Sequence, residues 1–209
     1  MSQFSSSTPS ASWLSDLDSL DRDALRERLR AMAAELDRAH ERERRLALLD
    51  ELTGLGNRRD FLRQLDTLFS QHRRNDLPVS LVLLDVDRLA GINDAQGHPA
   101  GDRVLRACAD SLGETLRGMD MSFRIDGDEL AIILPDTSLA GALAVAEKAR
   151  AAAAGCGATD SSLPGFTVSA GVAAFDVDDD DADAALRRAD QALARALADG
   201  GDRVGHLES

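Results

Sequence analysis

Val79-Ser80-Leu81-Val82-Leu83-Leu84-Asp85-Val86-Asp87 is a run of β-branched residues and leucines that closes on two acids. Its length and composition predict a buried strand over Val79–Val86 that delivers carboxylates at its end. Acids at i and i+2 project to the same side of a strand, an arrangement suited to a metal ion. Asp16-Leu17-Asp18 has the same spacing, so spacing alone fits a merely polar strand end equally well. Working outward, the periodicity predicts a helix over Arg58–Gln71 and another over Asp102–Leu116, after a break at Gly97-His98-Pro99. Two strands, Met121–Ile125 and Glu129–Leu134, flank Asp126-Gly127-Asp128, whose glycine suits a hairpin turn. An alanine-rich helix (Leu139–Ala154), a strand (Phe166–Phe175) and a helix (Ala182–Ala198) complete the series. This order predicts an α+β sandwich, a sheet with helices on one face. At the hairpin tip, Asp128-Glu129 can approach the acidic strand end and add oxygen ligands for Mg²⁺.

The chain has 209 residues, 44% hydrophobic and 29% charged, which implies one domain plus an extension. Its net charge of −13 excludes a life on nucleic acid or anionic lipid. Nucleotides remain possible, because metal ions bridge acidic sites to phosphate. No apolar run is long enough to cross a membrane, and the opening Met1-Ser2-Gln3-Phe4-Ser5 has no secretory character. Cys108 and Cys156 cannot build a disulfide framework, so a reducing cytoplasm is the expected compartment. Lys148 is the sole lysine; every other basic residue is arginine.

Residues 1–13 read as a disordered, serine-rich tail, 14–49 as a helix, and 50–209 as the folded domain. Leu25, Leu29, Met32, Leu36 and Ala39 form a stripe at 4-3-4-3 spacing that Glu43 interrupts. Either this helix is a coiled-coil stalk pairing two chains or it packs on its own domain. Asp176–Asp183 holds six aspartates and reads as a solvated loop whose last acids sit at a helix N-terminus. Cys108 reads as a core thiol, His98 as a structural residue of its loop, and Trp13 as a partner-facing anchor or a helix staple.

Several motifs occur in order. Asp50-Glu51-Leu52-Thr53-Gly54-Leu55-Gly56-Asn57-Arg58-Arg59 resembles the opening signature of GGDEF domains, the diguanylate cyclase family. So does Asp85-Val86-Asp87-Arg88-Leu89, followed by Ile92-Asn93-Asp94, Gly97-His98 and Gly101-Asp102. Arg124-Ile125-Asp126-Gly127-Asp128-Glu129-Leu130 stands where the family has its naming motif, and Ala189-Asp190-Gln191-Ala192-Leu193 matches its late helix. The likeness runs from about Leu49 to Val204.

The resemblance implies a palm-like fold with a mostly antiparallel sheet and flanking helices. It implies that two such domains face each other, each holding GTP, to make cyclic di-GMP and two pyrophosphates by in-line phosphoryl transfer with Mg²⁺ or Mn²⁺. Matched by position, Asp85, the Val86 carbonyl and Asp128 hold metal, and Glu129 lies near the reacting groups. Asn93 and Asp102 read the guanine edge, whose N–H donors a carboxylate accepts and adenine lacks. Gly127 lies beside the nucleotide.

The sequence also departs from the family pattern. Its first motif glycine is Asp126, which adds bulk and charge near phosphate, and its phenylalanine is Leu130. Three cations that ordinarily grip the triphosphate are replaced by Ala90, Leu197 and Gly201. Arg88, Arg195 and Arg203 lie nearby in sequence. Arg117-Gly118-Met119-Asp120 keeps the register of the family's arginine-x-x-aspartate inhibitory site for cyclic di-GMP, with Lys148 as an added phosphate contact. The expectation is a cyclic di-GMP receptor with impaired catalysis, dimeric through the N-terminal helix and signalling to a protein partner. The alternative is an active, product-inhibited diguanylate cyclase.

Overall fold

The structure is a computed structural model that describes residues 24–35 and 48–207. It divides into two units, residues 1–47 and residues 48–209. In the first, residues 24–35 form helix α1, on which Leu29 and Met32, three apart, are each 60% exposed. The predicted tail over 1–13 lies outside the described residues, as does the stalk apart from residues 24–35 and 48–49.

The second unit is a six-stranded sheet in the order β1-β3-β4-β2-β5-β6. In chain order its elements are β1 (Gly56–Asn57), α2 (Arg58–Asn75), β2 (Val79–Val86), α3 (Leu89–Gln96), α4 (His98–Thr115), β3 (Met121–Arg124) and β4 (Glu129–Pro135). Then follow α5 (Leu139–Thr159), β5 (Val168–Ala174), α6 (Ala182–Ala198) and β6 (Val204–His206). The four central strands pair antiparallel, while β1 and β6 add parallel edges to β3 and β5.

Helices cover both faces of the sheet, which corrects the one-faced sandwich. Val82, Leu84 and Val86 join Val104, Cys108, Leu112 and the alanines of α5 in one core. Leu81 and Leu83 join Phe61, Leu65, Phe123, Ala185 and Leu193 in the other. The physical reason lies in β2 itself: it is apolar at both parities, so both of its faces must be buried. Gly171 of β5 lets α6 approach closely, since a Cβ there would run into the Ala189 carbonyl and the Leu193 amide.

Local signals explain the element ends. Asn57 caps α2 by accepting from Arg59 N at 3.0 Å and Asp60 N at 3.1 Å. Gly97-His98-Pro99 starts α4, with the proline in its first turn. His98 is its exposed first residue, and α3, which the periodicity did not predict, fills the preceding gap. The aspartate-rich loop is only partly solvated. Asp181 caps α6, but Asp179 is buried at 6% and accepts from Arg188 at 2.5 and 2.8 Å and from Asp176 N at 2.8 Å. Cys108 is fully buried, and burial pushes its thiol up to about 12.

Candidate nucleotide site

The β2–β4 ladder places Asp85 directly opposite Glu129. Leu83 and Leu81 on β2, with Ala131 and Ile133 on β4, fill the α2/α6 core. Asp85 and Glu129 share their parity, so the two acids continue that face past its apolar end. Opposed like charges destabilise a strand pair. Burial, then Asp128, Asp87 and Glu129, push the Asp85 carboxyl up to about 6. Glu129 is also raised, by burial first and then by Asp190 and Asp126, against a lowering from Arg58. The hairpin is tied to this strand end, because Val86 N donates to the Asp128 carbonyl at 3.3 Å. Among the described residues, no three carboxylate, histidine or cysteine groups form a finished metal cage.

Asp87, the second acid of β2's tail, is occupied otherwise. Its Oδ1 accepts from Ser169 Oγ at 2.6 Å, and its Oδ2 accepts from Thr167 Oγ1 at 2.6 Å and Asp202 N at 3.0 Å. It anchors β5 and the 199–203 turn to the end of β2.

The hairpin itself is braced by a residue to which the sequence reading gave no role. Arg124 donates to the Gly127 carbonyl at 2.7 and 3.1 Å and to Asp50 at 3.2 Å. Asp50 also accepts from Thr53 N at 2.9 Å and Thr53 Oγ1 at 2.7 Å. Burial is the largest single influence on the Asp50 carboxyl and raises it, but the bonds from Thr53 and Arg124 together outweigh it and hold the carboxyl below its ordinary value. Within the turn, Asp126 accepts from Gly127 N at 2.8 Å, so its carboxylate serves the turn's own backbone.

A cleft of about 260 Å³ opens beside the hairpin, and Asn93, His98, Gly101, Asp102, Gly127 and Asp128 are among the residues lining it. Asn93 Oδ1 is buried and has no hydrogen-bond partner among the described residues. It lies where a side chain on Gly101 would otherwise stand. The structure thus brings Asn93, Asp102, Gly127 and Asp128 to one cleft, with Asp85, Val86 and Glu129 at the neighbouring strand ends.

Arg117, Asp120 and Lys148 stand apart. Asp120 Oδ2 accepts from Arg117 N at 2.8 Å, and Asp120 N donates to the Arg117 carbonyl at 3.0 Å, closing a tight turn. The turn precedes β3, whose four residues separate it from the hairpin by about 13 Å of strand. The Arg117 side chain is exposed and in no ion pair among the described residues. Lys148 Nζ lies 3.5 Å from the Thr115 carbonyl, near the same turn.

Of the positions without cations, Ala90 lines the cleft beside the hairpin, Leu197 is 40% exposed, and Gly201 has φ +75°, where a Cβ would meet the Asp87 carboxylate. Arg203 donates to the Gly201 carbonyl at 3.2 Å and lies 3.8 Å from Asp199. Among the described residues, no helix is long and apolar enough to cross a membrane.

Comparison with known proteins agrees with this geometry. Response regulator PleD of Caulobacter vibrioides is 40% identical over 130 residues, covering 61% of this chain and 29% of PleD. Diguanylate cyclase DgcM of Escherichia coli is 42% identical over 134 residues, covering 64% of this chain and 32% of DgcM. The chain thus spans about a third of the length of these curated relatives. The crystal structure of the coiled coil and GGDEF domain of DgcB from Caulobacter crescentus, in complex with c-di-GMP, superposes with a TM-score of 0.78 at 29% identity. It covers 88% of this chain and 99% of that one. The family described as "Diguanylate cyclase, GGDEF domain" matches residues 47–203, the span that holds the acidic strand ends, the hairpin and helices α3 and α4. On that match the chain belongs to the GGDEF domain family.

Proposed function

We propose that this domain acts in cyclic di-GMP signalling as a receptor, binding the dinucleotide at Arg117 and Asp120 with help from Lys148, and that its cyclase site turns GTP over slowly. The observation that carries this reading is the contrast between the two places. The nucleotide site gathers Asp85, Asp128 and Glu129 but has Ala90, Leu197 and Gly201 where its family has cations. The Arg117 turn presents a guanidinium in no ion pair among the described residues beside an oriented carboxylate, a pairing that recognises a guanine and its phosphate. Each charged hydrogen bond lost contributes about 1.5–3 kcal/mol, so three losses weaken a triphosphate complex by orders of magnitude. The naming motif, with Asp126 and Leu130, is degenerate in the same direction.

The acids suit Mg²⁺ or Mn²⁺, since the donors are all oxygen and Mg²⁺ is held by one or two carboxylates plus substrate phosphates. Asp85, Asp128 and the Val86 carbonyl would hold it, and it would neutralise phosphate charge there. Asn93 and Asp102 would orient guanine. In this reading the exposed Leu29 and Met32 of α1 supply a seam for a homodimer, and that helix relays the bound state to a protein partner. A GTP-converting cyclase is the second reading. The unpartnered Asn93 oxygen beside Asp102 favours it, because a buried acceptor without a donor matches guanine's N–H edge.

Calorimetric titration tests the first reading: cyclic di-GMP binds at about micromolar affinity or tighter, and Arg117→Ala abolishes binding. Equal titration curves would remove it. Incubation with GTP and Mg²⁺ or Mn²⁺, followed by chromatography, tests the second. Brisk conversion that vanishes in Asp128→Ala would put the enzyme in the receptor's place.

A further inference from the structure

A second cleft, about 620 Å³, lies along α3 on the side away from the guanine cleft. At 100° per residue, Leu89, Ala90 and Asn93 face one cleft, while Arg88, Gly91, Ile92 and Ala95 face the other. The far wall is the 164–167 segment, and Gly200 closes one end. Ile92 and Phe166 give it apolar walls. Gly91 has no atom within 4 Å of where a Cβ would stand, so the mouth beside Arg88 is open.

The charge balance in this cleft is unusual for a chain of net −13. Its lining holds one cation, Arg88, and one acid, Asp87. Both Asp87 oxygens are engaged by Thr167, Ser169 and Asp202 N. Arg88 is exposed and makes no ion pair or side-chain hydrogen bond among the described residues. Arg150 is committed to Glu147 and Asp202, Arg203 to Asp199, and Arg124 to Asp50. Arg88 also holds a left-handed backbone, φ +59° and ψ +29°, a conformation that costs a non-glycine residue about 1 kcal/mol or more. Arg88 lines the cleft directly after the tail of β2.

We infer that this cleft is a polyphosphate subsite in which Arg88 supplies the cation missing at Ala90, Leu197 and Gly201. The inference rests on the reading that a guanine nucleotide occupies the Asn93/Asp102 cleft. A base seated there on one side of α3 has its phosphate chain cross the Asp85 strand end and reach Arg88 on the other side. The guanidinium forks to two phosphate oxygens in a cleft whose one acid already has both oxygens occupied by hydrogen bonds.

Calorimetry on the full chain with Mg²⁺, using GTP, GMP and inorganic tripolyphosphate, tests this. Arg88→Asn removes the charge yet tolerates the left-handed backbone, and Arg88→Lys restores the charge. GTP affinity falls about ten- to a hundredfold in Arg88→Asn and recovers largely in Arg88→Lys, while GMP affinity changes less than about twofold. Tripolyphosphate alone distinguishes the sources. Arg88-dependent binding as tight as that of GTP identifies a free polyphosphate as the occupant, and binding at least about tenfold weaker identifies the nucleotide's own tail. Equal GTP affinity in wild type and Arg88→Asn overturns the subsite and leaves the guanine cleft standing. If neither GTP nor GMP binds, the guanine reading falls; Arg88-dependent tripolyphosphate binding then still upholds the cleft, and its absence ends it.

Discussion

Asp85 and Glu129 oppose each other across the β2–β4 ladder, two carboxylates in one cross-strand pair where the four preceding pairs are apolar. A fold keeps such a pair only if protons or a cation hold it together. Asp85's value near 6 lies above its ordinary 3.8, so its stabilising contribution is complete below about pH 3.8 and lost as pH rises through about 6. Acids held below their ordinary value, Asp50 and Asp179, act in the opposite sense at lower pH.

The expected result is therefore a difference measurement. Without divalent ions, wild type loses melting temperature relative to Asp85→Asn between pH 4 and pH 6.5, and Mg²⁺ at pH 7 recovers the loss for wild type alone. Parallel pH profiles for the two proteins, with no magnesium effect, would sink the idea that these acids await a cation.

Arg124 holds the hairpin from both sides, through the Gly127 carbonyl and Asp50. Arg124→Ala removes that brace and leaves Asp50 without its ionic partner, at an expected cost of about 1–3 kcal/mol in urea unfolding. Arg124→Lys keeps a charge near Asp50 but loses the fork to Gly127, so it recovers stability better than hairpin order. Amide exchange of Gly127 and Asp128 separates the two effects; unchanged protection in both variants would show that the turn stands unaided.

Gly101 lies inside α4, where alanine is ordinarily preferred by about 1 kcal/mol. A methyl group there takes the place of the Asn93 carboxamide oxygen. Gly101→Ala should leave the melting temperature close to wild type while lowering GMP and GTP affinity about tenfold or more. Retained affinity would mean that Asn93 does not touch the base.

Much of this was legible in the chain. The Val79–Leu84 run announced a strand, and Asp126-Gly127-Asp128 announced its hairpin neighbour. The run's apolar character at both parities carried the two-sided burial as well, but periodicity does not say which helices provide the cover. α3 was hidden because Leu89–Gln96 is short and includes Gly91, Asn93 and Asp94, residues that read as loop. The acids at the strand ends were visible by spacing. The diversion of Asp87 was not, since its hydroxyl partners stand about 80 residues away. Likewise, six aspartates in the 176–183 stretch look alike until tertiary structure sets Asp179 against Arg188.

That pair yields a stability prediction. Asp179's side chain is 5% exposed and Arg188's 33%. Removing the arginine strands a buried carboxylate, so Arg188→Ala should cost about 2–4 kcal/mol by denaturant unfolding. The double variant Asp179→Leu/Arg188→Met should regain most of it, because no charge is left buried. If Arg188→Ala alone is neutral, water reaches Asp179 and the loop is as solvated as its composition implies.

The last prediction concerns the missing phosphate grip. Ala90 and Leu197 are exposed, so lysine at either position disturbs no core, whereas arginine at Gly201 meets a left-handed backbone and the Asp87 carboxylate. Ala90→Lys/Leu197→Lys should therefore restore what can be restored without strain. Two charge-assisted contacts at about 1.5–3 kcal/mol each predict a gain of a hundredfold or more in GTP affinity, and a rise in cyclic di-GMP formation that Asp128→Ala eliminates. The melting temperature should hold, which excludes a rescue through folding. Tighter GTP binding without new product would place the defect at the hairpin, where Asp126 replaces glycine, and Asp126→Gly in the same background becomes the deciding variant. No change in either quantity would mean that the phosphates do not pass these positions, and that their loss of charge is not what slows this domain.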